Sequence, residues 1–356
     1  MFLRLSRLCL FTILSPLVAS STAVADEPQP VERIAFGSCA KQDQPQPIWD
    51  AIVNAEPELF LFIGDNIYGD SEDVEVLRAK WNQLGAVPGY RQLKQTCPVL
   101  ATWDDHDYGV NDGGAEFPRK RESQQLFLEF FEEPAGSPRW NREGVYDAKV
   151  YGPAGKRVQV ILLDTRYHRS RLVRRDWRPE PGEGDMGPYG PNNDPEATML
   201  GAEQWAWLEE QLRQPAELRI IASSIQVIPN GHHWEKWGNF PRERQRLFDL
   251  IGKTGAGGVI FVSGDRHSAE ISAFDPGVGY DLIDVTSSSL NRPSKWHTEL
   301  NPHRIGTKYT DENFGMIAID WDQEDPVVRC QVCSIEGEVV LQHRVPLSQL
   351  QPASKN

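Results

Sequence analysis

Five short apolar segments of this chain each end in a small residue, and polar or acidic residues follow at once. Apolar runs of this length, bounded by turn-forming residues, are typical of buried β-strands. The five junctions are Phe36-Gly-Ser-Cys39, Gly64-Asp-Asn-Ile-Tyr68, Trp103-Asp-Asp-His-Asp107, Leu163-Asp-Thr-Arg166 and Ser263-Gly-Asp-Arg-His267. In α/β sheets, ligands gather beyond the carboxyl ends of the strands. We therefore expect the five junctions to meet in one site.

Helix-forming stretches alternate with these predicted strands. We predict helices at 49–55, 74–84, 120–131, 203–212 and 242–251. Strand-like patterning returns from Asn313 to about Pro346, whereas 168–198 and 290–313 are predicted to be long loops. The alternation favours an α/β fold in which helices cover a core sheet.

The first 25 residues have the three parts of a secretory signal peptide. Arg4 and Arg7 precede an apolar run at 8–19, and Ala23 and Ala25 form a small-residue cleavage site. The run is short for a bilayer span, which disfavours the alternative of an uncleaved membrane anchor. We expect cleavage after Ala25 and a secreted or periplasmic protein. The mature chain is predicted to have a single domain at 26–350 and a frayed tail at 351–356.

The chain is acidic, with a formal net charge of −14. Loss of Arg4 and Arg7 with the signal peptide makes the mature chain more acidic still. An acidic protein is a poor nonspecific ligand for nucleic acid, because the phosphates repel it. We therefore expect no nucleic-acid partner and no transmembrane segment after signal cleavage. The charge suits a protein that holds multivalent cations.

Asp65 and Tyr68 form the first candidate metal motif. A carboxylate at a strand end can bridge two cations through its two oxygens, and a tyrosine three residues later can reach the same centre. As a phenolate, Tyr68 suits a strongly Lewis-acidic ion such as ferric iron. The alternative is an Asx-turn that only closes the strand.

The densest cluster of titratable residues is Asp104-Asp-His-Asp107, with Asn111 close behind. Three acids so close together repel one another unless cations neutralise them. Clustered titratable groups of this kind indicate a metal or catalytic site. His106 is predicted to contact the substrate, where it could protonate a leaving oxygen or stabilise charge on the phosphoryl oxygens.

Asp265 and His267 follow the strongest buried-strand candidate, and their spacing lets the two side chains serve neighbouring ions. Cys39 is either inert packing or a thiolate ligand for iron or zinc. Cys330 and Cys333 could form a zinc or redox pair. No second pair accompanies them, so a strand-turn-strand segment is the favoured interpretation there.

Six arginines lie within thirteen residues after the fourth predicted strand: Arg166, Arg169, Arg171, Arg174, Arg175 and Arg178. A guanidinium group can bind phosphate through two parallel hydrogen bonds. We predict that Arg166, nearest the strand end, contacts the substrate anion, with Asn66 and Asp164 also in the substrate site. The other arginines are expected to form a solvated face. His232 and His233 either complete a metal shell or belong to an aromatic loop.

Taken together, the five junctions resemble those of the PhoD-type alkaline phosphatase family within the calcineurin-like metallophosphoesterases. They run in family order over residues 36–267. Cys39 narrows the resemblance to the PhoD type, because many other branches have Asp-x-His at this point. The resemblance implies a four-layer α/β/β/α sandwich. We expect this chain to lack the N-terminal β domain that PhoD-type proteins often carry.

The resemblance also implies a ferric ion and calcium, with zinc or manganese as the alternative. The implied ferric ligands are Cys39, Asp65, Tyr68 and His267. Calcium would be bound by Asp65, Asp265 and one residue of the segment 105–111. PhoD-type proteins often have Glu after the motif histidine and Asn soon after, whereas here Asp107 follows and Asn111 is displaced. Asp105 and Asn111 therefore both stay candidates for the second metal.

The implied function is hydrolysis of phosphate mono- or diesters by attack of a metal-bound hydroxide, with Arg166 and His106 offsetting the developing charge. We expect a monomer whose partner is a phosphate-ester substrate. One alternative is a phospholipase or phosphodiesterase specialised for lipid or wall-polymer diesters, which an open arginine-lined groove would favour. An alternative of another class is a non-catalytic secreted metal-binding protein with the same fold.

Overall fold

The computed structural model describes residues 29–176, 187–295 and 299–352. Within these ranges fifteen β-strands are numbered in chain order. They are β1 Arg33–Gly37, β2 Leu59–Ile63, β3 Val99–Thr102, β4 Asp147–Tyr151, β5 Val158–Leu162, β6 Val173–Arg174, β7 Tyr189–Gly190, β8 Leu218–Ser223, β9 Val259–Ser263, β10 Ala269–Phe274, β11 Leu282–Ser287, β12 Arg304–Tyr309, β13 Asn313–Asp320, β14 Val327–Ser334 and β15 Val339–Pro346.

Seven α-helices occur in the same described ranges. They are α1 Ile48–Asn54, α2 Val74–Ala86, α3 Pro88–Thr96, α4 Asp105–Tyr108, α5 Lys120–Phe130, α6 Gly201–Leu212 and α7 Pro241–Thr254. Short 3₁₀-helices lie at Pro138–Trp140, Trp237–Asn239 and Leu347–Leu350.

The larger strands form two mixed sheets. The first sheet has the order β15-β14-β13-β1-β2-β3, and β1, β2 and β3 are parallel. The second has the order β12-β10-β11-β9-β8-β5-β4, and β5, β8, β9 and β11 are parallel. The carboxyl ends of the parallel strands in each sheet lie at a common edge, so the polar junctions that follow these strands lie close together. A shared site needs this geometry.

Side-chain alternation along β2 shows how the layers are built. Phe60 and Phe62 point outward to the helices α1, α2, α3 and α5, where Trp49 meets the two rings at centroid distances of 5.7 and 5.8 Å. Leu59 and Leu61 belong instead to the core shared with the second sheet. Because both faces are buried, the strand is uniformly apolar, as parallel strands covered on both sides usually are.

Helices α6 and α7 cover the outer face of the second sheet. Trp205 and Leu208 of α6 and Leu247 and Ile251 of α7 are buried in the same core as the strands. The order of layers is therefore helices, sheet, sheet, helices. The predicted α/β/β/α sandwich is confirmed.

The predicted elements agree with the structure to within a few residues, and the differences have physical reasons. Helix α3 was not predicted, because it is mostly polar and buries only Tyr90 and Leu93. The segment 290–313, predicted to be a loop, contains the strand β12. This strand pairs with β10 along one edge only and is partly exposed, so it lacks an apolar run.

The predicted loop 168–198 contains the short hairpin β6–β7, while 177–186 lie outside the described residues. The predicted signal peptide at 1–25 and all but the first two residues of the predicted tail also lie outside them. Within the described part of the chain, no helix has both the length and the apolar character needed to cross a membrane.

Candidate metal centre

The candidate ligands stand where strands of the two sheets end. Cys39 follows β1, Asp65 and Tyr68 follow β2, and the Asp104–Asp107 junction follows β3. The junction 264–267 comes from β9 of the facing sheet. In the β3 junction, Asp104 is the N-cap residue of the single turn α4, and its N–H donates to Asp107 Oδ1 at 2.6 Å. The two sheets thus bring to one point residues as far apart in the chain as Cys39 and His267.

Four donor atoms of different chemistry converge at the first part of this site. The Cys39 Sγ lies 3.3 Å from Asp65 Oδ2, and the Tyr68 hydroxyl lies 3.2 Å from the same oxygen. The Tyr68 hydroxyl is also 3.2 Å from Nε2 of His267. Donor atoms of Cys39, Asp65 and His267 all lie within 4.8 Å of one another. One cation could therefore contact all four side chains.

A second group of donors consists of carboxylates. Oxygens of Asp65, Asp104, Asp105 and Asp265 lie within 4.8 Å of one another, so Asp65 belongs to both groups. Asn111 lies on the wall of the pocket with its side chain exposed, and its amide donates to Asp112 at 2.7 Å. Of the two candidates for the second metal, Asp105 is the one whose oxygen faces Asp65 and Asp265.

The backbone at the ligands is unusual. Cys39, Asp65, Asp265 and His267 have φ of 61°, 49°, 65° and 51°, a left-handed conformation that few non-glycine residues adopt. Gly64 adds a turn that no side chain permits, since a Cβ there would lie 2.6 Å from Asp104 Cβ. Strain of this kind persists where surrounding structure holds it in place, and it clusters at functional sites.

The crowding of acids shifts their protonation. Burial and the nearby Cys39 thiol raise the pKa of Asp65 well above its usual value. Burial also raises the pKa of Asp104 to about 7 and that of the Cys39 thiol to about 11. Desolvation and the charges of Asp104 and Asp105 raise the pKa of Asp265. Without positive charge between them, these groups cannot all ionise.

A further observation indicates that these residues are suited to bind metal cations. The Asp65 Oδ1 and Asp104 Oδ2 atoms are buried and have no hydrogen-bond partner in the part of the chain that the structure describes. A buried carboxylate oxygen without a donor is costly unless a cation binds it. The mixed sulfur, oxygen and nitrogen donors around Tyr68 suit iron or zinc, whereas the carboxylate group suits a hard cation such as calcium or manganese.

His106 stands beside the carboxylates on the pocket wall. Its Nδ1 lies 2.7 Å from Asp70 Oδ1, which leaves Nε2 available to a ligand. Burial opposes its protonation, but the charges of Asp105 and Asp65 outweigh this effect and raise the pKa of His106 to about 11. In turn, although burial disfavours ionisation of Asp105, the His106 and Arg166 charges hold the Asp105 pKa below its usual value.

The pocket above the carboxylates has a volume of about 210 Å³. A third group of acids lines it, formed by Asp105, Asp112 and Glu235, with Trp234 beside them. Sequence reasoning missed Glu235, which follows the two histidines of the Gly231-His-His-Trp234 run. Asp112 was next to a predicted ligand and was also missed. Asp112 and Glu235 lie on loops from different sheets, and no local sequence pattern predicts that these two loops meet.

The structure does not place Arg166 at the substrate surface, where the sequence predicted it. Its side chain is fully buried. Its Nε donates to Asp104 Oδ1 at 2.6 Å, its Nη2 contacts the same carboxylate, and its Nη1 donates to Glu235 Oε2 at 2.6 Å. Arg169 makes a second ion pair with Glu235 at 3.1 Å. The two arginines thus hold the acids of the pocket wall rather than an open anion site.

Asn66 and Asp164, also predicted to bind substrate, use their polar atoms inside the protein. The Asn66 amide donates to Asp107 Oδ2 at 2.6 Å and to the Thr102 carbonyl at 2.9 Å, so it ties the β2 and β3 junctions together. Asp164 accepts backbone N–H groups from Arg166 and Tyr167 at 2.8 and 2.9 Å. Both side chains are buried and position the junctions.

The remaining candidates lie outside the cluster. His232 and Gln226 are buried partners at 3.0 Å, and Gln226 continues to Glu270 at 2.9 Å. His233 contacts the Tyr189 carbonyl at 3.1 Å. Cys97, Cys330 and Cys333 are buried free thiols outside the cluster, whereas the fourth free thiol of the described chain, Cys39, lies within it.

The sandwich fold is that of the metallophosphoesterase class. The chain belongs to the PhoD-like phosphatase family, whose profile matches residues 34–324. A curated relative, alkaline phosphatase D of Bacillus subtilis (strain 168), is 23% identical over 193 residues. That match covers 48% of this chain but only 31% of the relative's length.

Two solved structures share the fold. One, described as the structure of PhoD, has a TM-score of 0.70 at 17% identity and covers 92% of this chain and 72% of that one. The other is purple acid phosphatase PPD1 from yellow lupin (Lupinus luteus) seeds, with a TM-score of 0.61 at 16% identity. It covers 89% of this chain and 54% of that chain.

From the buried position of Arg166 we predict that its ion pairs stabilise the folded protein. Replacing Arg166 by Gln leaves Asp104 and Glu235 without their cation, and we expect a loss of about 3–5 kcal/mol in the free energy of unfolding. Urea denaturation measures it. As a control, Arg213→Gln removes an ion pair to Glu209 whose arginine side chain is 51% exposed, and we expect a change below about 1 kcal/mol. A stable Arg166→Gln protein that only binds substrate poorly would restore the substrate-contact role.

Proposed function

We propose that this protein is a metal-dependent phosphoesterase that hydrolyses phosphate mono- or diesters at the cluster around Asp65. The observation that carries the proposal is that Asp65 belongs to both groups of candidate metal ligands. Its carboxylate lies among the donors of Cys39, Tyr68 and His267 and also among the carboxylates of Asp105 and Asp265. A bridging carboxylate between two cations is the arrangement that two-metal hydrolases use.

We propose Fe³⁺ at the position framed by Cys39, Asp65, Tyr68 and His267, and Ca²⁺ at the position framed by Asp65, Asp105 and Asp265. Zn²⁺ or Mn²⁺ is the alternative. A strongly Lewis-acidic ion would explain a buried tyrosine and thiol that face the same carboxylate oxygen. When bound, the cations supply activation of water and polarisation of the phosphoryl oxygens.

The chain's own residues supply the proton and the geometry. His106 is held at Nδ1 by Asp70 and carries its proton into the site, so its Nε2 is placed to protonate the leaving oxygen. Asp104 is held by Arg166 and by the Ser224 hydroxyl at 2.5 Å. These contacts fix the carboxylates before substrate arrives, so little reorganisation is needed during the reaction.

We further propose that the chain is exported through its N-terminal segment at 1–25 and acts outside the cytoplasm. Four unpaired buried thiols are compatible with export, because a domain of this size is stable without disulfides. N-terminal sequencing of the protein recovered outside the cytoplasm tests this proposal. Asp26 as the first residue supports it, and an intact Met1 in a cytoplasmic protein contradicts it.

The enzymatic proposal is tested by removing single ligands. We expect Asp65→Asn and His267→Ala each to lower the turnover of a phosphomonoester by at least about 100-fold, since even partners behind the ligands of a metal site are worth 10- to 100-fold. Elemental analysis of the same samples should show loss of bound metal. Asp249→Asn on the exposed face of α7 is the matched control and should keep both properties. Full activity in either ligand variant would refute the site.

A further inference from the structure

Arg292 differs from the other arginines around the site. Arg166, Arg169 and Arg266 each form an ion pair with a glutamate. Among the described residues, Arg292 has no acidic partner within ion-pair distance, and its buried Nε has no hydrogen-bond acceptor. Arg292 as a whole is only partly buried.

The backbone around Arg292 is bound to the ligand segments. The N–H groups of Leu290 and Asn291 donate to the Ser38 and Cys39 carbonyls at 3.0 and 3.3 Å, and that of Ser294 donates to the His267 carbonyl at 2.8 Å. The segment 290–294 is therefore attached to both sides of the first metal position, and Arg292 lies between the two attachments.

The Asn291 side chain adds a second tether on the same segment. Its amide donates to the Lys41 carbonyl at 2.9 Å and its oxygen accepts the Lys41 N–H at 2.6 Å. Such two-way pairing restricts the loop, and an arginine held on a fixed loop loses less conformational entropy when it binds an anion.

The guanidinium carbon of Arg292 lies 5.2 Å from the centre of the Tyr68 ring. The hydroxyl of that ring contacts Asp65 and His267. His106 packs on the same tyrosine, with ring centroids 4.3 Å apart. Arg292 and His106 thus border one candidate ligand. Arg292 has the position beside the metal centre that the sequence analysis assigned to Arg166.

Resting on the phosphoesterase function proposed above, we propose that Arg292 binds a non-bridging phosphoryl oxygen of the substrate and favours phosphomonoesters over diesters. The planar guanidinium fork suits phosphoryl oxygens. A monoester dianion carries one more negative charge than a diester, so a fixed cation beside the phosphorus attracts it more strongly.

The test compares Arg292→Gln and Arg292→Lys with the wild type on 4-nitrophenyl phosphate and bis(4-nitrophenyl) phosphate. We expect Arg292→Gln to lower kcat/KM for the monoester by about 10- to 100-fold, the usual effect of losing a charged hydrogen bond, and to lower that for the diester much less. In Arg292→Gln, the inhibition constant of inorganic phosphate should rise in parallel with the decrease in kcat/KM for the monoester. Lysine should recover part of both effects, because it keeps the charge without the fork.

Arg91→Gln, which removes an exposed arginine on α3, is the control for a general change of charge. Elemental analysis and circular dichroism confirm that the variants keep their metals and fold, and Arg292→Lys carries the test if the glutamine variant does not fold. An unchanged ratio of monoester to diester kcat/KM, with unchanged phosphate inhibition, would overturn the proposal and leave Arg292 as packing on Tyr68.

If the wild type hydrolyses neither ester, the phosphoesterase function fails by itself. Calorimetric binding of phosphate to the wild type and to Arg292→Gln then still decides whether Arg292 holds the anion.

Discussion

The carboxylate of Asp65 is the group on which the site depends, because it faces two sets of donors at once. On one side it meets a thiol and a phenol, and on the other it meets the carboxylates of Asp105 and Asp265. So many acidic groups in one buried place repel one another, and burial raises the pKa of Asp65 further. Only positive charge can let them ionise together. The cluster therefore makes physical sense as the lining of a cation centre.

The surrounding structure supplies part of that positive charge and all of the rigidity. Although burial opposes protonation of His106, the charges of Asp105 and Asp65 raise its pKa, and the buried Arg166 joins Asp104 to Glu235. The left-handed backbone of four candidate ligands is held by strands that are buried on both faces. A stable two-sheet core thus supports local strain at the junctions, and that strain directs the side chains to one point.

The sequence was informative where function follows from the end of a strand. Asp65, Tyr68 and His267 come directly after apolar runs, so their convergence could be predicted from local pattern. The role of Arg166 could not, because it depends on an ion pair to Glu235, 69 residues further along the chain. Arg292 lay in a segment predicted only as a loop, and the bond from the neighbouring Asn291 N–H to the Cys39 carbonyl joins distant parts of the chain.

The most direct test of this account is anomalous X-ray diffraction from crystals of the purified protein, with data collected on both sides of the iron absorption edge. The account predicts two cations with Asp65 as a common ligand, and an iron signal at the position bound by Cys39 and His267. A different metal at that position would correct the identity of the ion but keep the shared carboxylate. A single cation, or two cations that do not share Asp65, would contradict the central claim.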